Sequence, residues 1–298
     1  MNLADGDELV AFVKRTLPAE FTGGRFKVGL VQNHYSILND EYFIKIAGPG
    51  ASPSSLEREL RSTILLIDSG CNVTTQPASL EVFSSGGIQI TVWHRNFGST
   101  YTPDLMSPRR TVSALASLRK VHRARVSVDA TMDQTAETVR HRMALRSWTV
   151  ADRALKSDIS LLVKAFVSPA NRSLNPGGLV LCHGDAHAGN LLYSHDDVAT
   201  LCDIESARMA SPEWDIACLR HNVLRIGGRK DSWDVIAPLL TDYDHSLVDY
   251  YEATKATTGI THLIASGEYA LARARTDAML PVLDGGDFPD RLQCQPGR

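Results

Sequence analysis

The stretch VLCHGDAHAGNLL, residues 180–192, places two histidines, an aspartate and an asparagine among apolar and small residues. Apolar segments exclude such groups unless hydrogen bonds or ligands satisfy them. The polar residues follow the spacing H-x-D-x-x-x-x-N, through His183, Asp185 and Asn190. Three interpretations are open from this stretch: a metal site, a catalytic loop, or a turn held by its own hydrogen bonds. The neighbouring sequence has to distinguish them.

Length and composition predict a globular chain of two units. The chain has 298 residues, of which 43% are hydrophobic, and a single domain usually takes about 100–200. No apolar run approaches the roughly 20 residues of a membrane span, and the N-terminus lacks the pattern of a signal peptide. Five scattered cysteines without a C-x-x-C pair favour reduced thiols and a cytoplasmic location.

Charge is unevenly distributed along the chain. Residues 201–298 carry 15 acidic and 10 basic side chains, although the whole chain is nearly balanced at 34 and 31. An acidic segment disfavours nucleic acid as a partner, because the phosphate backbone is negative. The excess is either a solvated surface or a wall that attracts a cationic small molecule.

Residues 1–93 predict a small α+β unit. Hydrophobic spacing indicates a helix over 7–17 and a second helix that begins at Ser54, or at Ser52 with Pro53, and ends at Gly70. Short apolar segments around these helices predict an antiparallel sheet. Its strands are expected at 25–31, 34–38, 41–47, 79–83 and 88–93.

The remainder of the chain predicts a larger, mainly helical unit. Ser107-Pro108 begins one helix, and further helices are expected over 149–168, 212–226 and 231–254. Three short β-like segments lie between them, around the 180–192 stretch. We therefore predict an α+β fold of two lobes with a protein-kinase-like layout: residues 1–93 form the small lobe, 94–103 the linker, and 104–298 the helical lobe.

An aspartate follows the next apolar strand after the 180–192 stretch. Asp203 lies 13 residues beyond Asn190, at the end of VATLC. Paired with the amide oxygen of Asn190, its carboxylate makes an oxygen-only site. Such donors suit Mg²⁺ shared with phosphate oxygens.

A lysine stands inside the apolar strand YFIKIA. Lys45 either faces water from an edge strand or needs an anionic partner. Glu59 and Glu57 follow in the next helix, and we prefer Glu59 because Glu57 has the position of a capping residue. A Lys–Glu pair of this kind anchors nucleotide phosphates in kinases.

These motifs, in this order, resemble a known family. CHGDAHAGNLLY (182–193) followed by LCDIESARMASPEWDIACL (201–219) is similar to the aminoglycoside phosphotransferase and choline kinase-like family of small-molecule kinases. That family typically has H-G-D-x-H-x-x-N, then a segment with a metal-binding aspartate, then P-x-x-D-apolar-A, here Pro212 to Ala217. The resemblance runs from about residue 20 to about residue 225 and is most specific in its C-terminal motifs.

The resemblance implies roles for individual residues. Asp185 would be the catalytic base, and Asn190 and Asp203 would hold Mg²⁺. Lys45, held by Glu59, would contact the α- and β-phosphates of ATP. The backbone where the small lobe meets the linker, around Trp93, His94 and Arg95, would bind the adenine edge.

Four further residues receive more modest roles. His183 is expected to shape the loop, and Asp215 to brace it through backbone N–H groups. His187 and Glu205 are candidates for contacts with substrate or phosphate. The phosphate-covering segment holds Gly29 alone among glycines, with Gln32 and Asn33 as substitute donors. Asp203 is followed by Ile-Glu rather than Phe-Gly, which argues against a protein kinase.

The predicted function is ATP- and Mg²⁺-dependent phosphorylation of a hydroxyl on a small molecule. A cationic acceptor, such as an aminoglycoside or another aminated antibiotic, is the first candidate and would imply a role in resistance. A sugar, amino sugar or choline-like metabolite is the alternative. Two other classes stay open: a non-catalytic nucleotide-binding pseudokinase, and a metallohydrolase using His183, Asp185 and His187. The sequence leaves the oligomeric state open.

Overall fold

The structure is a computed structural model. It describes residues 5–31, 34–48, 55–96, 99–100, 103–126, 153–167, 178–289 and 292. Two helix caps and the two substitute phosphate donors of the sequence analysis lie outside these ranges; they are Ser52, Ser54, Gln32 and Asn33. Among the described residues, no helix has the length and apolar character needed to cross a membrane.

The N-terminal part is an antiparallel sheet with one helix before its first strand and a second helix between its third and fourth strands. Helix α1 spans Gly6–Thr16 and helix α2 spans Ser55–Asp68. The strands are β1 (Lys27–Val31), β2 (His34–Leu38), β3 (Tyr42–Ala47), β4 (Phe83–Ser85) and β5 (Ile88–His94). They pair in the order β1-β2-β3-β5-β4. Asp5 caps α1 by accepting from the backbone N–H groups of Asp7 and Glu8.

The N-terminal core lies between α1 and the sheet. Leu9 and Val13 of α1 are fully buried with Ile44 and Val92 of the central strands. The predicted strand over 79–83 is wrong, because pairing with β5 begins only at Phe83. Upstream of it, the hydroxyl of Ser79 accepts the backbone N–H of Glu81, and this turn carries the chain away from the ladder.

The C-terminal part contains six of the described helices and two small sheets. The helices are α3 (Pro108–Arg123), α4 (Arg153–Leu162), α5 (Glu213–Arg220), α6 (Lys230–Ile236), α7 (His245–Ala265) and α8 (Tyr269–Leu283). Strand β7 (Val180–Cys182) pairs with β10 (Arg208–Ala210). Strand β8 (Leu191–Tyr193) pairs with β6 (Ser99–Thr100) and β9 (Ala199–Leu201).

One of the predicted helices is broken in the structure. The expected helix over 231–254 is wrong, since α6 ends at Ile236 and Pro238 follows in a 3₁₀ turn. Asp244 then caps a new helix, α7, through the N–H groups of Ser246 and Leu247. Helix α5 continues as a π-helical turn to Ile226, in agreement with the prediction over 212–226. The predicted helix over 149–168 is described only over 153–167.

The two parts meet along one edge. Thr74 bridges to Leu201 of β9, and Leu66 and Val73 are buried in the large core of the C-terminal part. Helix α2 lies against the 3₁₀ turn Ile204–Ser206. This contact brings the acidic residues of α2 next to those around Asp203. The predicted lobe boundaries, 1–93, 94–103 and 104–298, stay a prediction.

Candidate active site

A cavity of about 390 Å³ opens where the five-stranded sheet faces the 183–205 segment. It collects most of the residues that the sequence singled out. Those lining it are Lys45, Glu59, Trp93, His94, Arg95, Asn190, Asp203 and Glu205. Asp185, His187, His183 and Asp215 do not line it; they lie in and behind the loop that ends at Asn190.

Lys45 stands at the centre of the cavity's polar wall. Its Nζ lies 2.8 Å from Glu59 Oε2 and 2.5 Å from Asp203 Oδ1. Lys45 and Glu59 are both buried, whereas Glu57, the alternative partner, is exposed. A buried ammonium needs such partners, because losing water without them is costly. The contact joins β3, α2 and the segment after β9 at a single point.

Negative charge exceeds positive charge at this point. Glu205 Oε2 is a third carboxylate, 3.6 Å from Lys45 Nζ. Burial acts to lower the pKa of Lys45, but the three carboxylates outweigh it and raise that pKa above its usual value. Burial raises the pKa of Glu59 to about 7 against the opposing effect of Lys45, and it also raises the pKa of Glu205. One ammonium therefore does not neutralise the cluster.

The donor set fits a hard divalent cation. One carboxylate oxygen each from Glu59, Asp203 and Glu205 lies within 4.8 Å of the others. Asn190 donates through Nδ2 to the carbonyl of Asp185 at 3.0 Å, which leaves its Oδ1 as the oxygen able to bind a cation. Oxygen ligands with excess negative charge are what Mg²⁺ requires.

His34 is a cavity residue that the sequence analysis missed. It lies on β2, two residues from Ser36, which pairs with Lys45. Its Nε2 is 3.4 Å from Glu205 Oε2 and 3.3 Å from the hydroxyl of Ser55. Burial and then Lys45 lower its pKa to about 4, so the ring is neutral at pH 7. The two-residue period of the strand was the available signal, because it places His34 on the face of Lys45.

The predicted adenine contact is restricted in the structure. The backbone N–H of His94 donates to the carbonyl of Gln76 at 2.9 Å, and that of Arg95 to the carbonyl of Glu41 at 2.8 Å. Trp93 is buried, and its indole N–H donates to Thr91. The backbone N–H groups of His94 and Arg95 are therefore already used within the fold.

Asp215 holds the start of the 183–190 loop. This fully buried carboxylate accepts the N–H groups of His183 (2.7 Å) and Gly184 (2.9 Å), and it lies 3.0 Å from His122 Nε2. Burial acts to raise the pKa of Asp215, but His122, His183 and the backbone donors outweigh it and lower that pKa. This is the geometry that the predicted bracing role requires.

Gly184 is required by the loop's shape. Its φ is +86°, and a Cβ there would lie 2.1 Å from the carbonyl oxygen of Ser206. That carbonyl belongs to the 3₁₀ turn just after Asp203. The loop that carries Asp185 and the segment that carries Asp203 are therefore in direct contact at this glycine. Asp203 itself has φ 59° and ψ 52°, a left-handed conformation that aspartate tolerates better than most residues.

Asp185 lies on the other side of the loop, in a cationic setting. Its Oδ1 pairs with Lys255 Nζ of α7, and its Oδ2 is 3.5 Å from His187 Nε2. Burial acts to raise the pKa of Asp185, but Lys255 and then His187 lower it to about 2. Asp185 is therefore fully ionised at neutral pH. The sequence analysis did not find Lys255.

The metallohydrolase alternative is not supported by the loop's geometry. His183 Nε2 is 2.9 Å from the carbonyl of Cys202, and His183 Nδ1 accepts the N–H of Asp185. His187 Nδ1 accepts the N–H of Gly189. In the described part of the chain, His183, Asp185 and His187 do not bring three ligand atoms together.

Comparison with known families places the chain. Residues 27–255 match the model of the phosphotransferase enzyme family. The chain belongs to this family, as the sequence motifs indicated, and is a small-molecule phosphotransferase. No sequence among curated proteins matches it significantly.

Solved structures confirm the protein-kinase-like, two-lobed α+β fold. The GDP and kanamycin complex of APH(2")-IIia is 14% identical, with a TM-score of 0.68 over 93% of this chain and 97% of that one. A choline/ethanolamine kinase family protein from Mesorhizobium loti is 17% identical, with a TM-score of 0.66 over 94% and 93%. Spectinomycin phosphotransferase APH(9)-Ia, with ADP and spectinomycin, is 17% identical, with a TM-score of 0.66 over 96% and 95%.

Proposed function

We propose that the protein transfers the γ-phosphate of ATP, in the presence of Mg²⁺, to a hydroxyl of a small molecule. The observation that carries this proposal is the position of Lys45 between Glu59 and Asp203, in a cavity that Asn190 also lines. Complexes of GDP and ADP among the similar structures support a nucleotide ligand. We further propose residues 1–93 as the nucleotide-binding lobe, 94–103 as the linker and 104–298 as the catalytic lobe.

The cavity's polar wall suits a triphosphate carried with a cation. Lys45 would bind the α- and β-phosphates, and Glu59 would orient its ammonium. Asn190 and Asp203, with Glu205 in reach, would hold Mg²⁺, which supplies positive charge to the phosphate oxygens. The backbone around residues 93–95 would contact the base. Each of these contacts would position the nucleotide or neutralise its phosphate charge. Phosphoryl transfer depends chiefly on positioning and charge neutralisation.

Asp185 is suited to orient the acceptor hydroxyl. A carboxylate with a pKa of about 2 is a weak base. That is sufficient, because the loose transition state of phosphoryl transfer needs little early removal of the proton. Its oxygens are held by Lys255 and His187, and the loop backbone is fixed by Asp215. Asp185 would accept the hydroxyl's proton as the oxygen–phosphorus bond forms.

The acceptor proposals start from the sequence and from the similar structures. Aminated antibiotics are the first class to screen, since the C-terminal third is acidic and the similar structures include complexes with kanamycin and spectinomycin. Sugars, amino sugars and choline-like metabolites form the second class. We also propose a cytoplasmic location, on the scattered cysteines.

A coupled assay of ATP consumption across hydroxylated compounds tests the proposal. Product is identified by mass, with GTP run in parallel and the Asp185→Ala protein as blank. Transfer that needs Asp185 and Asp203 supports a kinase. Binding of ATP without any hydrolysis or transfer would instead support the pseudokinase alternative.

A further inference from the structure

Lys255 gives the candidate base a permanent positive neighbour. It projects from α7, 70 residues away in the chain, and its Nζ pairs with Asp185 Oδ1. Burial acts to lower the pKa of Lys255, but Cys218 and then Asp185 outweigh it and raise that pKa above its usual value. The side chains of Lys255 and Asp185 stay 26% and 33% exposed, so both can meet a ligand.

Lys255 has donors to spare. An ammonium carries three N–H donors, and Asp185 is the partner that Nζ has among the described residues. An acceptor whose hydroxyl reaches Asp185 therefore comes within hydrogen-bonding reach of the remaining donors of Lys255. A ligand oxygen with negative charge would satisfy it best, because charge-assisted hydrogen bonds are about twice as strong as neutral ones.

Other cations surround the same region. Arg208 donates to the carbonyl of Gly184 at 3.0 Å and lies close enough to Lys255 to act against its charge. Behind them, burial lowers the pKa of His221 to about 3, and four cations act in the same direction. These four are Lys255, Arg275, Arg225 and Arg220.

The acidic residues of this region are paired with two of these arginines, so the charges of both sets cancel. Glu252, fully buried on α7, binds Arg220 at 2.6 Å and Arg225 at 2.9 Å. Asp249 also binds Arg220, at 2.6 Å. The excess of acidic residues in the C-terminal third therefore does not make the surroundings of Asp185 negative. A cationic group next to the reacting hydroxyl would meet Lys255 as a like charge.

We propose that the acceptor is a hydroxylated carboxylate, whose anionic group is bound by Lys255 while its hydroxyl is held by Asp185. The proposal rests on the proposed function. It makes Lys255 a residue that determines acceptor specificity, at a position that the family's motifs do not include. It also separates this site from one shaped for an amine beside the transferred hydroxyl.

Matched acceptors test the charge preference. Two sets share their hydroxyls and differ in one group: glycerate, glycerol and 3-amino-1,2-propanediol; and glucuronate, glucose and glucosamine. The full chain is assayed with Mg·ATP, and phosphorylated product is measured by mass. The proteins compared are the wild type, Lys255→Met, Lys255→Arg and Lys230→Met. Lys230 is a matched control, since it is an exposed lysine paired with Asp234 on α6.

The ratio of kcat/KM between the carboxylate and the amine of a set is the readout, because a general loss of activity leaves it unchanged. We expect this ratio to be at least about tenfold in the wild type, in Lys255→Arg and in Lys230→Met. In Lys255→Met it should fall to within about threefold of unity, with the loss concentrated on the carboxylate.

Three outcomes would overturn the acceptor proposal while leaving the kinase intact. They are a preference for the amine in the wild type, a ratio that Lys255→Met does not alter, or no product from any carboxylate although ATP hydrolysis that needs Asp203 continues. A protein that neither hydrolyses ATP nor transfers phosphate from it would instead defeat the proposed function.

Discussion

The 183–190 loop joins two polar environments of opposite character. On one side, Lys45 is a single cation among the carboxylates of Glu59, Asp203 and Glu205. On the other, Asp185 is a single carboxylate beside Lys255, with Arg208 nearby. The first side suits a polyanion that arrives with a divalent cation, and the second suits a hydroxyl beside an anion. Local charge, rather than the net charge of a segment, therefore decides which ligand each side favours.

The largest effect is expected on the Asp185 side. Asp185→Ala should lower kcat for transfer by about 10³-fold, since a positioned base contributes roughly 10²–10⁴-fold. ATP affinity should stay unchanged, because Asp185 does not line the nucleotide cavity. Steady-state kinetics and ATP titration measure the two quantities. Asp196→Ala, an exposed aspartate after β8, is the control; a parent-like rate in Asp185→Ala would remove it as the base.

A smaller loss is expected on the Lys45 side, and it should appear in the use of ATP. Lys45→Met should lower kcat/KM for ATP by about 10²-fold, the usual cost of one preorganised donor. Lys27→Met, an exposed lysine on β1 of the same sheet, should behave as the parent. The melting temperature of each variant separates a folding defect from a binding defect. Unchanged ATP kinetics would place the phosphates elsewhere.

Asp215, which holds the loop between the two sides, should contribute to stability. Asp215→Asn replaces a buried carboxylate that accepts two backbone N–H groups, and should lower the free energy of unfolding by about 2–4 kcal/mol. Because the pKa of Asp215 is lowered in the folded protein, its contribution to stability should fall as the pH falls. Its contribution is complete above the unfolded pKa of about 3.9 and is lost as pH falls towards the folded pKa.

Urea unfolding between pH 3 and pH 7 measures this difference. The gap between the parent and Asp215→Asn should be widest at neutral pH and narrow in acid. Asp242→Asn, at an exposed position, should follow the parent at every pH. A gap that widens as pH falls would contradict the assignment.

The smallest effect is expected at Gly86, which is a control for Gly184, the glycine in contact with the Asp203 segment. Gly184→Ala combines a left-handed φ with a clash against Ser206, whereas Gly86→Ala has a left-handed φ in open space. Gly86→Ala should cost about 1 kcal/mol, and Gly184→Ala should cost more and also weaken ATP binding. Thermal melts and ATP titration compare them. Equal costs would mean that the close approach at Gly184 relaxes freely.

Sequence reasoning succeeded where chemistry is written locally. A lysine within the apolar strand YFIKIA indicated an anionic partner, and Glu59 of the next helix is that partner. The aspartate of P-x-x-D-apolar-A lies where its motif places it, against the N–H groups of the loop. For Lys45, the signal was the conflict between a charged residue and its apolar neighbours. For Asp215, it was the resemblance to the family motif.

Sequence reasoning failed where packing decides. Lys255 lies within the helical segment YYEATKATTG, which gives no sign of a partner 70 residues away. Its pairing with Asp185 depends on how α7 packs against the loop. The break between α6 and α7 was missed because the apolar residues on both sides of Pro238 keep a helical spacing. The sequence therefore predicted one continuous helix where the structure has two.

The independence of the two sides is most directly tested by calorimetric titration of Mg·ATP into Asp203→Asn and Asp185→Asn. Asp203 lies in the proposed nucleotide cavity with Lys45, and Asp185 lies across the loop with Lys255. We expect Asp203→Asn to raise the Kd for Mg·ATP at least about tenfold, and Asp185→Asn to leave it within about twofold. Equal weakening in both variants, or weakening in Asp185→Asn alone, would contradict the account.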